Sequence, residues 1–114
     1  MSPDLKILVI MREATRALMS HALGQTRESF EADRKTRSAI LFEIVLQGEG
    51  AKRLTAGFRD GHPEVPWSQI AGMRDRIVHS FDAINLDIAR DVVKIHAPAV
   101  LASLDQIIAE EPPP

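Results

Sequence analysis

Cysteine is absent from the 114 residues, which excludes disulfides, zinc–thiolate sites and thiol nucleophiles together. Tyrosine is absent as well, and aromatic residues make up only 4% of the chain. The core must therefore come from Leu, Ile, Val, Ala and Met, which favours helices over a β-sandwich. There is no excess of one charge: 14 Lys and Arg against 16 Asp and Glu leave a net −2. Any nucleic-acid binding has to come from a local patch, not from a global field. The first residues hold neither a basic start with an apolar segment behind it nor a run of about 20 apolar residues. The cytoplasm is the expected compartment, with no membrane partner. With no cysteine and no clustered His and Asp, the chain also offers no convincing metal site, and no cofactor is expected.

What is present reads as helices. Ser2-Pro3-Asp4 combines an N-cap, a proline at the first helical position and an acid in the first turn. Ile7, Ile10, Met11, Ala14 and Leu18 follow at helical spacing, and Leu5, Leu8 and Val9 add a second apolar stripe. The first half of this helix is expected to be buried on more than one face, and Gly24 to end it. After a polar stretch holding Phe30, Asp33 can cap a second long helix. Its segment from Ala39 to Leu46 is apolar except at Glu43 and suits a bundle centre or a subunit interface. Gly48 and Gly50 weaken that helix, and close approach of another backbone is the expected compensation.

From Thr55 to Pro66 the glycines and prolines mark one substantial loop. Trp67, Ile70, Ala71, Ile77, Val78 and Phe81 form the stripe of a third helix; Asn85 can cap a fourth, and Pro98 opens a fifth with Leu101, Leu104, Ile107 and Ile108. The expected fold is all-α, an antiparallel up-and-down bundle of four to six helices forming one domain over residues 1–110, with 111–114 as a frayed tail.

Arg74 lies in the apolar stripe of the third helix. A guanidinium there snorkels to the rim, pairs with an acid such as Glu43 or Glu49, or waits for a phosphate. His79 follows five positions later, about 140° further round an ideal helix, so the two side chains border a cleft only from different faces. Asp75 precedes His79 by one turn. It can hold the imidazole's tautomer, or His79 is simply an exposed helix-end residue. Arginine, four residues, histidine is also satisfied by Arg16 and His21, and nearly so by Arg90 and His96. Neither of those arginines sits in an apolar stripe, and both pairs read as ordinary helix surface.

The third pair is set apart by its context, Pro63-Glu64-Val65-Pro66-Trp67-Ser68-Gln69-Ile70-Ala71-Gly72-Met73-Arg74-Asp75-Arg76-Ile77-Val78-His79. This string resembles the signature of the HepT-like family of the HEPN superfamily. Ser29-Phe30, Asp33-Arg34-Lys35-Thr36, Glu43-Ile44 and Gly48-Glu49 are similar to the family's second-helix region, and Asn85-Leu86-Asp87-Ile88 and the helix around Pro98 also fit. The resemblance implies a homodimer with the Arg-His motifs of both copies facing one cleft. It implies metal-independent RNA cleavage, the toxin half of a toxin–antitoxin pair, and an MNT-type nucleotidyltransferase antitoxin as partner. Mapped onto this chain, His79 would be the general acid or base, Arg74 would stabilise the phosphorane, and Asp75 would orient the site, with Glu43 and Glu49 in support. The family motif continues to a tyrosine that the partner modifies with AMP. Here that position is Phe81, which has no hydroxyl to modify. Two other readings stay open: a non-catalytic dimeric module that regulates the nucleotidyltransferase, and a bundle that binds a free nucleotide through Arg74. Arg34, Lys35, Arg37, Lys52 and Arg53 could supply a phosphate-tracking surface.

Overall fold

The computed structural model describes residues 1–80 and 82–111; Phe81 and the prolines 112–114 lie outside the described residues. The fold is all-α, with no strand among the described residues. Helix α1 runs over Pro3–Ala22, with Ser2 accepting a hydrogen bond from Leu5 N. Gly24, at φ +78°, takes the chain out of that helix in the left-handed region. Helix α3 covers Arg34–Arg53 and is capped by Asp33. Helix α5 covers Trp67–His79, and α6, Leu86–Asp91, is capped by Asn85.

Two segments expected to be irregular contain short helices. Arg27–Ala32 forms α2, because Thr26 and Ser29 cap each other reciprocally and Phe30 is buried. Ala56–Asp60 forms α4 inside the expected loop. Its cap, Thr55, bonds through N and Oγ1 to the carboxylate of Asp4, at 3.0 and 2.8 Å. The expected fourth and fifth helices are in fact one helix from Leu86 to Glu110. A π turn over Val92–His96 leads into α7, Ala97–Glu110. Pro98 does not break the chain: it stands in the first turn of α7, directly after a turn of wider register in which Ala97 N donates to Val92 O. In length and composition this helix could cross a membrane; its residues Ala89, Ala97, Val100, Leu104 and Ile107 are buried in the core.

Helix α3 is the centre of the bundle, packed on α1 along one side and on α5 along the other, and α7 packs on α1. One core gathers Leu8, Met11, Leu54, Trp67, Ile70 and Leu104. A second gathers Leu18, Phe30, Ile40, Ile44, Ala89 and Ala97. Between α1 and α3 lies a buried polar pair: Gln47 Nε2 donates to Thr15 Oγ1, which donates to Met11 O at 2.8 Å. The buried stripe of α1 is Leu5, Leu8, Met11, Ala14, Thr15 and Leu18. Ile10, assigned by its spacing to the buried side, is 54% exposed, so α1 buries essentially one face.

The glycines of α3 are explained by contact. A Cβ on Gly50 would fall 2.3 Å from Met11 Cγ, and one on Gly48 would fall 2.1 Å from Arg74 Cβ. At Gly48 the backbone of α3 and the first side-chain carbon of Arg74 occupy the space that any larger residue would need.

Candidate functional site

The close approach at Gly48 places Arg74. Its stem lies over the gap left by the glycine, among Ile70 and the buried face of α5, and its guanidinium emerges beside residues 49 and 52 of α3. This is how an arginine enters an apolar stripe: the methylenes pack and the charged end reaches the rim. The side chain is only 22% exposed. Glu49 Oε1 lies 2.7 Å from Arg74 Nε, off the direction of the N–H, so the contact is an ion pair without hydrogen-bond alignment. Arg74 Nη1 donates to Asp75 Oδ1 at 3.0 Å. The same oxygen accepts from Lys52 Nζ at 2.8 Å, and Arg53 Nε closes the cluster at 3.5 Å from Glu49 Oε2. Three cations thus meet two carboxylates on the α3–α5 seam. The hydrogen bond from Lys52, and then that from Arg74, hold the Asp75 carboxyl below its usual range.

Asp75 therefore orients Arg74 and not the imidazole. His79 is the last residue of α5. It is exposed and makes no side-chain hydrogen bond or ion pair among the described residues. Glu49 is the acid that meets Arg74. Glu43 is not, because six residues along an ideal helix turn it about 120° away, to the α1 side. There burial raises its carboxyl pKa, opposed by the nearby charge of His21. Val78, expected in the buried stripe, is 40% exposed. The pair Arg16 and His21 is surface, as expected: Arg16 binds Glu13 and Asp105 at the bundle's outside. The place of Lys52 in the cluster was visible only as part of a basic surface. Its spacing, one turn after Gly48, is the signal that points it toward α5.

A groove of about 570 Å³ lies between α5 and the long C-terminal helix, lined by Ile44, Gln47, Met73, Arg76, Val92 and Val100 among others. Arg74, Asp75 and His79 do not line it. No group of three or more His, Asp or Glu side chains among the described residues has the arrangement to hold a metal ion.

The fold and the cluster define an all-α bundle that presents a fixed arginine and an exposed histidine from one helix. The family model described as Ribonuclease HepT-like matches residues 11–107, and the chain belongs to that family. A Methanocaldococcus jannaschii protein with the provisional name of an RNase is 32% identical over 98 residues, which cover 86% of this chain and 81% of that one. A Caldanaerobacter subterraneus protein, also provisionally named an RNase, is 30% identical over 94 residues, 82% of this chain and 84% of its own. A Thermococcus cleftensis protein named a probable ribonuclease HepT is 29% identical over 80 residues, 70% and 73% of the two chains. No solved structure matches the chain.

Proposed function

We propose that this protein is a metal-independent endoribonuclease, the toxin of a cytoplasmic toxin–antitoxin pair, that cleaves RNA at Arg74 and His79 in the cleft of a homodimer. One observation carries the reading: Arg74 is held before any substrate arrives, its Nε by Glu49 and its Nη1 by Asp75, while Nη2 has no protein partner among the described residues. A guanidinium fixed in this way offers its remaining donors to phosphate oxygens without having to be ordered first. His79 takes the proton of a ribose 2′-hydroxyl as that oxygen attacks the adjacent phosphorus. Arg74 neutralises the phosphorane. The 5′-oxygen leaves with a proton delivered by the second imidazole of the dimer, and a 2′,3′-cyclic phosphate remains. Family membership supports the same chemistry.

The dimer is supported by two exposed apolar residues flanking the cluster. Phe42, 59% exposed, stands two turns before Glu49 on α3, and Val78 stands one turn after Arg74 on α5. A two-fold contact over this face would bury both and bring two Arg-His pairs together. The test is cleavage of a labelled RNA by purified protein in EDTA. Cleavage leaving a 2′,3′-cyclic phosphate, lost in Arg74→Ala and in His79→Ala, is expected. No cleavage by a folded dimer would overturn the reading in favour of a second one.

That second reading is a non-catalytic dimeric module that binds and regulates an MNT-type nucleotidyltransferase. It is favoured by one feature, the absence of any tyrosine to receive AMP. Exchange of His79 for Ala separates the two, since a module has no toxicity to lose.

A further inference from the structure

Lys52 reaches the oxygen that orients Arg74, and this has a use that salt bridging alone does not explain. Lys52 Nζ and Arg74 Nη1 both donate to Asp75 Oδ1, at 2.8 and 3.0 Å. Two cationic nitrogens gathered on one small oxygen stand close enough to engage two oxygens of a single phosphate. Each keeps donors to spare: Lys52 has one of its three N–H bonds on Asp75, and Arg74 has Nη2 and one Nη1 hydrogen without a protein partner among the described residues. The lysine side chain is 42% exposed, so its free donors face solvent on the side where the guanidinium emerges. The local charge is also unbalanced, with Lys52, Arg53 and Arg74 against Glu49 and Asp75, in a chain that is net negative. A purely structural network has no need of the third cation. An excess of positive charge at this seam attracts an anion there.

We infer that Lys52 is a substrate-binding residue, and that it and Arg74 together clamp the non-bridging oxygens of one RNA backbone phosphate, with Asp75 as the tether that sets their separation. The inference rests on the nuclease reading above and adds to it the residue on α3 that completes the phosphate site. Asp75 then has a single task, to keep two like charges side by side until a phosphate replaces part of its role. The clamp reads charge and not bases, so it contributes affinity without sequence preference.

The experiment is RNA binding by the full chain carrying His79→Ala, which leaves a target RNA intact, measured by fluorescence anisotropy from low to moderate salt. Lys52→Ala and Lys52→Arg are added in that background. Removing one phosphate contact from a single strand lowers the slope of log affinity against log salt by about 0.7. Lys52→Ala is expected to show that drop, with affinity near 0.1 M salt weaker on the order of tenfold, and an unchanged melting temperature, because an exposed ion pair contributes little to stability. Lys52→Arg is expected to keep the slope. Equal slopes and affinities for Lys52→Ala and its parent would overturn the clamp while leaving the nuclease reading in place. No RNA binding by the His79→Ala parent itself would overturn both, which distinguishes the two failures.

Discussion

Replacing Gly48 by Ala should destabilise the protein, although alanine is the better helix former. A Cβ at this position would sit 2.1 Å from Arg74 Cβ and 3.0 Å from the carbonyl oxygen of Ile70. Carbon atoms in ordinary contact are about 3.5–4 Å apart, and neither neighbour is the loose end of a flexible chain. Helices α3 and α5 must therefore separate by more than an ångström. Rotation of α3 offers no escape, because Gly50, two residues on, is equally close to Met11 of α1, at 2.3 Å. Alanine brings up to about 1 kcal/mol of helix propensity, while overpacking of this kind costs about 1–3 kcal/mol. A 2.1 Å approach belongs at the upper end of that range, so the net loss expected is about 2 kcal/mol, a fall in Tm of roughly 8 °C for a chain of this size. Gly72, in the middle of α5, is the control, since a Cβ there meets nothing within 4 Å. Gly72→Ala should raise stability by about 0.5–1 kcal/mol. Thermal melts followed by circular dichroism measure both. A Gly48→Ala protein as stable as wild type, beside a stabilised Gly72→Ala, would refute the close approach and with it the placement of Arg74.

Thr15→Val should cost about 1–3 kcal/mol, because it strands the buried Gln47 amide; the double change with Gln47→Leu should recover most of that in urea unfolding. Glu43 has a raised pKa from burial, so its ionisation works against the fold. The penalty is absent below the unfolded-state pKa and complete once pH exceeds the folded value. Glu43→Gln should then raise Tm at neutral pH and leave it unchanged in acid, and a lower Tm at pH 7 would contradict this. Under the proposed toxin reading, and because no tyrosine exists in the chain, incubation with an MNT-type nucleotidyltransferase and ATP should add no AMP by mass spectrometry. An adduct on a serine such as Ser80 would show that a hydroxyl other than tyrosine's can take the AMP, and would overturn this expectation.

Most of the fold was legible because its signals are local. Ser2, Asp33 and Asn85 cap the helices that their side chains mark, and Gly24 ends the first helix as a left-handed residue must. What escaped was set by tertiary context. The turn of α2 depends on Thr26 and Ser29 capping each other over a buried Phe30, and α4 depends on Asp4 reaching Thr55 from 51 residues away. Proline 98 misled because its usual effect is to interrupt a helix, whereas here it stands in the first turn of α7, directly after the π turn. At the candidate site, the spacing of Arg74, Asp75 and His79 was readable, and Glu49 was one of two acids expected to meet Arg74, but the partners of Asp75 were not. Whether Asp75 serves the histidine or the arginine depends on Lys52, which lies 23 residues earlier in the chain.

The π turn also fixes how chain length and helix phase are related. Ala89 and Ala97 are both buried in the same core. Eight residues apart on an uninterrupted α-helix, they would point about 80° from each other. A π turn absorbs one residue, which brings them within about 20° of a common direction. Residues Val92–His96 thus act as an expansion joint: the helix carries one residue more than its two ends require and still presents both to the same interior. Deleting a single residue from the joint would leave the two faces aligned, but it would set Pro98 against the carbonyl four positions before it. The extra residue and the proline are therefore coupled, and a straight helix is reached only by changing both.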